Sequence, residues 1–396
     1  MNFKDALMTC QLVFESGAVP LLIGESGIGK TALVKKLSQI KEAHLIGVDA
    51  NLLKEGEIGG LPTTESYNIT VNQRKIRRKK TIYAIHTKLL EIDQVLMENP
   101  DKKIIFFIDE INRCEHAVQQ ELMNIILNRE INGFVLPGNV LVIAAMNPSN
   151  KYDRFSESTY QVVDMDPAQE DRFVWIEMDS DPKSWIDWGL AREGKTFEGR
   201  SVQNVHEDVL EFISSFPEHL HAPYSQETVK ATPRSWERIS DSYVQYLNKN
   251  SYYPQGIFFN VVKGNVGSSA AHDFFNFLEN NRNPIIKPEE IFQHTEIPEG
   301  LKARVKKDTH SRLYLTARNC LHYLADFREE SQEGIQDKVV LFTEFLQLYP
   351  GDLKMGIMQE IKSNYEKTLY HDFMNVKSFI DGYIQLYQEV NMRSIR

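Results

Sequence analysis

Hydrophobic positions in the first 180 residues alternate between two periods. Residues 4–16 place Ala6, Leu7, Cys10, Val13 and Phe14 on one helical stripe, which Gly17 ends. An unbroken apolar run follows at 19–23, and four more runs of this kind lie at 44–48, 104–108, 140–145 and 173–178. They are too short for buried helices and read as buried strands. Helix-length stretches such as 31–40 and 117–127 separate them. Strands alternating with helices predict an α/β fold: a parallel five-stranded sheet flanked by helices, with ligands at the carboxyl ends of the strands.

Beyond Asp179 the pattern changes. Trp185 and Trp188 lead into helical periods at 205–214 and 235–247, and an Asn- and Pro-rich stretch at 280–288 marks a boundary. The last region is periodic at 311–327, 338–348 and 353–390. Three domains are expected: an α/β core over 1–180, a helical domain over 181–283, and a mostly helical C-terminal region over 284–396 that carries no readable role. No internal repeat is visible.

The composition narrows the classes. With 42% hydrophobic residues in 396, the chain can bury more than one core. A formal net charge of -10 excludes a positive field over the whole surface, so any contact with nucleic acid has to be local. Cys10, Cys114 and Cys320 are odd in number and far apart, which fits neither a disulfide framework nor a paired zinc site. The N-terminus has no basic run leading into an apolar core, and no stretch reaches the roughly 18 apolar residues of a membrane span. A soluble cytoplasmic protein is expected.

The chemistry begins at Gly24-Glu25-Ser26-Gly27-Ile28-Gly29-Lys30-Thr31, which satisfies G-x-x-x-x-G-K-[ST] between the first strand and the helix after it. Such a loop wraps phosphates with backbone N–H groups and adds the partial positive charge of a helix N-terminus. Lys30 is expected to neutralise the β- and γ-phosphates, and Thr31 to hold Mg²⁺ through its hydroxyl. A chance match in a glycine-containing turn is the plain alternative; the flanking strand and helix weigh against it. The run 104–108 delivers Asp109 and Glu110 at its carboxyl end. Asp109 suits the Mg²⁺ shell and Glu110 the polarisation of an attacking water, although a strand ending in solvated acids is common by itself. The run 140–145 leads to Asn147, an amide that could reach the water or the γ-phosphate; alone, Asn147-Pro148 would be read as a turn.

Taken in this order, and with Arg234 in Thr232-Pro233-Arg234-Ser235-Trp236, these residues resemble an AAA+ ATPase, and more narrowly its MoxR-like branch. Gly59-Gly60-Leu61-Pro62, Asp109-Glu110-Ile111-Asn112-Arg113 and a hairpin-like stretch at 129–137 add to the likeness, which covers about residues 1–280. The resemblance implies a P-loop NTPase core and makes 181–283 a helical lid. It implies Asn147 as sensor 1, Arg234 as sensor 2, and Arg172, in Glu170-Asp171-Arg172-Phe173, as an arginine finger offered to a neighbouring subunit. It further implies a homo-oligomeric ring, often hexameric, hydrolysing ATP with Mg²⁺ and remodelling protein partners, commonly ones with von Willebrand A-type domains. For Arg172 the plain alternative is a salt bridge to Asp171 or Glu170; for Arg234, a surface arginine at a helix start.

Three features pull elsewhere. Asn150-Lys151-Tyr152-Asp153 has the N-K-x-D form with which small GTPases read guanine, but Asn147 already holds the place directly after the strand. Arg74-Lys75-Ile76-Arg77-Arg78-Lys79-Lys80 is the one concentrated basic run. It motivates a rival reading, a nucleic-acid-dependent NTPase motor or restriction-type subunit, while a solvated loop or hairpin is the blander account. A nucleotide-gated binding switch with little turnover is a third reading. His219-Leu220-His221 has no further ligand at metal spacing, and the aromatic residues of 370–387 read as helical core.

Overall fold

A computed structural model describes residues 1–71, 74–152, 160, 162–192, 195–197, 200–249, 252–280, 285–330, 333–365 and 368–382. Two compact units emerge, one of Met1–Asp181 with Thr232–Arg234, the other of Pro182–Ala231 with Ser235–Arg396.

In chain order the first unit contains α1 (Phe3–Glu15), β1 (Val19–Ile23), α2 (Lys30–Ile40), β2 (His44–Asp49), β3 (Pro62–Val71), β4 (Arg74–Tyr83), α3 (Thr87–Glu98), β5 (Ile104–Asp109), α4 (His116–Asn128), β6 (Glu130–Ile131), β7 (Phe134–Val135), β8 (Val140–Met146), α5 (Pro167–Glu170) and β9 (Phe173–Glu177). The five apolar runs form one sheet in the order β2-β5-β8-β1-β9, with every pairing parallel. Side chains alternate across it. Leu21, Ile46, Phe106, Ile108 and Val142 pack on one face with residues of α3 and α4, including Leu89, Ile92 and Leu122. Leu22, Ile105, Phe107, Ile143 and Ile176 pack on the other with residues of α1 and α2, including Cys10, Phe14, Leu33 and Leu37. Burial on both faces explains why these strands are continuous apolar runs rather than alternating ones. Parallel pairing also brings the residues after β1, β5 and β8 to one edge of the sheet.

Of the two plain readings of the basic run, loop or hairpin, the structure has the hairpin. The run forms β4, which pairs antiparallel with β3 along ten register positions from Pro62↔Tyr83 to Val71↔Arg74. At the base of this hairpin, Gly60 has φ +84, and a Cβ there would fall 2.0 Å from the carbonyl oxygen of Ala84, so only glycine fits. Glu121 on α4 accepts from the N–H groups of Gly56 and Gly59 at 2.9 and 3.2 Å, and Asn132 donates to the carbonyl of Gly59 at 2.7 Å. The glycine motif is thus a turn clamped by α4 and by the β6–β7 hairpin.

The second unit contains α6 (Pro182–Leu190), α7 (Glu207–Ser215), α8 (Pro233–Asn248, whose first two residues belong to the first unit), α9 (Gln255–Val266), α10 (Ser268–Asn280), α11 (Pro288–Phe292), α12 (Glu299–Val305), α13 (His310–Glu330), α14 (Ile335–Leu346), α15 (Gly351–Asn364) and α16 (Leu369–Phe373). One apolar cluster centres on Trp185, Phe212, Trp236 and Phe274, a second on Leu321, Phe342, Phe345 and Phe373. Helix α13 carries two buried arginines: Arg312 pairs with Glu211 and Asp308, Arg318 with Asp187 and Glu360. The stretch 353–390 was expected as one periodic segment, but α15 ends at Asn364 and α16 begins only at Leu369. Phe373 and Phe379 are core residues as expected, while residues 383–390 of that stretch and 281–284 of the expected boundary lie outside the described residues.

Candidate nucleotide site

The loop from Gly24 to Gly29 leaves β1 and enters α2, and no side chain caps the N-terminus of that helix. Gly27 has φ +82, and a Cβ there would lie 2.9 Å from Thr232 Oγ1 and 3.5 Å from Arg234 Cβ. The N–H of Arg234 donates to the carbonyl of Gly27 at 3.3 Å. Residues more than 200 positions apart in the chain are therefore packed on each other.

Lys30 is only 8% exposed. Its Nζ donates to the carbonyls of Gly24 (2.5 Å) and Glu25 (3.1 Å) and to Asn147 Oδ1 (3.1 Å). Burial pulls its pKa down to about 8, against the opposing charges of Asp109, Glu110 and Glu25, and Arg234 adds to the lowering. An ammonium desolvated to this degree favours any anion placed against it.

Thr31 Oγ1 donates to Asp109 Oδ2 at 3.1 Å, and Asp109 Oδ1 accepts from the N–H of Glu110 at 3.0 Å. Glu110 has φ +53, a left-handed conformation rare outside glycine and concentrated at functional sites. Its carboxylate faces Arg113 at 3.2 Å and Asn147 Nδ2 at 3.5 Å. Asn147, 2% exposed, is held in turn by Asn112: Asn112 Nδ2 donates to the Asn147 carbonyl (2.8 Å), and the Asn147 N–H donates to Asn112 Oδ1 (3.3 Å). One connected set therefore runs from Thr31 and Asp109 through Glu110 and Asn147 to Lys30.

Neighbours that sequence reasoning missed complete the edge. Asp49, at the end of β2, is the register partner of Asp109; burial pushes its carboxyl pKa up, and the charges of Glu110 and Asp109 add to that. Tyr160 accepts from the Ser26 N–H at 3.0 Å, and burial pushes its phenol up to about 12. A hollow of about 390 Å³ is lined by Arg113, Ser149, Asn150, Tyr160 and Asp164. Asp49 was hidden because strand adjacency is not a local property, and Tyr160 because residues 151–164 carry no periodic pattern.

The donor set suits a divalent cation held partly by its ligand. Among the described residues no group of three or more His, Cys, Asp or Glu forms a metal cage. A hydroxyl beside one carboxylate, Thr31 with Asp109, fits Mg²⁺, which keeps waters and substrate phosphates in its shell.

The two arginines differ. Arg234 is exposed but lies against the loop through its backbone. Arg172 is exposed between α5 and β9 and makes no ion pair among the described residues. The Glu170 carboxylate is taken instead by Lys151 Nζ (2.8 Å) and Tyr152 OH (2.9 Å). The same contacts give Lys151 and Tyr152 a structural place in the N-K-x-D segment, whose Asp153 lies outside the described residues. His219 Nε2 lies 3.3 Å from a carboxylate oxygen of Asp273.

Residues 20–173 match the family described as AAA domain (dynein-related subfamily). No curated protein matches the chain. Among solved structures, it is similar to the RuvB Holliday junction branch migration motor of Thermotoga maritima, at 16% identity over 70% of this chain and 67% of that one, with a TM-score of 0.33. It is also similar to NtrX from Brucella abortus in complex with ADP, at 12% identity over 91% of this chain and 67% of that one, with a TM-score of 0.36. The first unit has the P-loop AAA+ fold, a parallel five-stranded sheet with flanking helices, and a substantial helical region follows it. Among the described residues no helix is long and apolar enough to cross a membrane.

Proposed function

We propose that the chain binds ATP at Gly24, Glu25, Ser26, Gly27, Ile28, Gly29, Lys30 and Thr31 and hydrolyses it. What supports the reading best is the connected set Thr31–Asp109–Glu110–Asn147–Lys30, which places an acid, an amide and an ammonium beside one loop. Lys30 exchanges its loop carbonyls for phosphate oxygens, and the backbone amides of the loop take up the remaining negative charge. Thr31 and Asp109 would hold Mg²⁺, which supplies charge neutralisation at the phosphates. Glu110, leaving Arg113, accepts the proton of the attacking water, and Asn147 orients that water against it. Arg234, lying against Gly27, reports the nucleotide's state.

Arg172, exposed and without an ion pair among the described residues, suits a charge supplied to a neighbouring subunit's nucleotide, which requires an assembled oligomer such as a ring. In this reading the chain is a MoxR-like remodeller whose ATP cycle acts on protein partners, von Willebrand A-type domains among them.

Glu110→Gln tests the core of the reading. ATP turnover should fall by about 10² to 10⁴-fold, the usual contribution of a general base, while equilibrium dialysis finds ATP binding intact. Unchanged turnover would remove Glu110 from the chemistry. A wild-type chain that binds ATP but never releases phosphate would make the site a switch instead. A pull-down with the same variant, which holds ATP, is the route to the partner.

A further inference from the structure

The β3–β4 hairpin plays no part in the nucleotide site, and its two faces differ. Register places Thr63↔Ile82, Glu65↔Lys80, Tyr67↔Arg78 and Ile69↔Ile76 on one face. That face is mixed: it is apolar in part, and its Lys80 is paired with Glu65 at 2.9 Å. The opposite face carries Thr64↔Thr81, Ser66↔Lys79, Asn68↔Arg77 and Thr70↔Lys75, with Tyr83 at its base. It contains three cations, each directly across from a hydroxyl or amide, and no carboxylate. Lys75, Arg77 and Lys79 are exposed and make no ion pair among the described residues. In a chain of net charge -10, this is a local positive strip.

Geometry and chemistry select its ligand. Alternate residues of a strand are spaced about 6.8 Å apart, which equals the rise of two steps of about 3.4 Å along the axis of a nucleic-acid duplex. Phosphate oxygens are met by Lys and Arg together with Ser, Thr and Asn, the residue types present here. A two-stranded ribbon is also narrow enough to lie in a DNA groove. An acidic protein partner is the competing occupant. Protein interfaces deplete lysine and serine and rely on apolar or aromatic anchors at their centre, whereas the middle of this face has none. Tyr83, 41% exposed at the end of the strip, adds a ring on which a base can stack. We infer that this face of the hairpin binds the phosphate backbone of nucleic acid, with Lys75, Arg77 and Lys79 each meeting a phosphate.

The test uses the full chain without nucleotide, so that it stands apart from the question of hydrolysis. Fluorescence anisotropy with a labelled mixed-sequence 20-mer, single-stranded and duplex, measures binding at low and moderate salt. Three phosphate contacts predict a slope of log affinity against log salt of about -2 for the single strand and about -2.7 for the duplex. Lys75→Ala/Arg77→Ala should weaken binding at least tenfold and reduce the slope. Arg78→Ala/Lys80→Ala, which removes the same charge from the other face, should change it less than threefold. Circular dichroism of both variants confirms that the fold is kept. Equal losses in the two variants, absence of oligonucleotide binding at low salt, or tighter binding of polyglutamate than of the oligonucleotide would each overturn the inference.

Discussion

Asn112 grips Asn147 with both side-chain polar atoms, in a place only 2% exposed on either residue. Truncating it leaves a buried N–H and a buried carbonyl without partners, at a cost of about 1–3 kcal/mol for each unsatisfied group. Asn112→Ala should therefore lower stability by about 2–6 kcal/mol in urea unfolding. It should also lower the ATPase kcat more than the affinity for ATP, because Asn147 loses its position and Lys30 does not. Turnover and stability equal to wild type would make the amide pair dispensable. The phosphate loop was legible in the sequence because glycine and lysine spacing is local. The grip on Asn147 was not: Asn112 and Asn147 are 35 positions apart and meet only because β5 and β8 are neighbours in the sheet.

At the scale of elements, legibility followed burial. The five strands of the sheet, apolar on both faces, stand out as unbroken runs. The β3–β4 hairpin has almost nothing buried, so no apolar pattern marked it, and its ten-residue strands were left open between loop and hairpin. Helix α3 likewise buries only Leu89 and Ile92 and went unread. The helix caps carry a different kind of information. His206 caps α7 by accepting from the Asp208 N–H on Nδ1 at 3.2 Å, which requires that nitrogen to be unprotonated. Burial holds its pKa below the ordinary 6.5, although Asp208 and Glu207 act the other way. Between the two values the unfolded chain binds more protons, so this group's contribution to stability is complete above pH 6.5 and falls as the pH drops toward the folded value. His206→Asn keeps a cap acceptor without the titration. The urea midpoint of the second unit should match that of wild type at pH 8 and exceed it at pH 5.5. A constant difference between the two proteins at both pH values would show that His206 does not titrate there.

For the whole molecule, the exposed Arg172 makes the strongest demand. If it serves a neighbour's nucleotide, Glu110→Gln and Arg172→Ala fail for different reasons and can repair each other. An Arg172→Ala subunit keeps its own Glu110 and can borrow Arg172 from a Glu110→Gln neighbour. In an equal random mixture about a quarter of sites meet both conditions, so two nearly inactive proteins should recover up to about a quarter of wild-type turnover on mixing. No recovery, with subunit exchange verified, would place the action of Arg172 within its own chain.

The packing of Thr232–Arg234 on Gly27 also bears on where the chain can be cut. A fragment ending at Asp181 would retain every residue of the phosphate loop and the whole parallel sheet, yet lose the three residues, Thr232–Arg234, that cover the loop at its second glycine, Gly27. The motif pattern tolerates any residue at position 27, whereas this chain does not, because Thr232 takes the space a side chain would need. The smallest complete nucleotide-binding piece of this protein is therefore discontinuous in sequence, and a domain boundary drawn by linear position alone divides it.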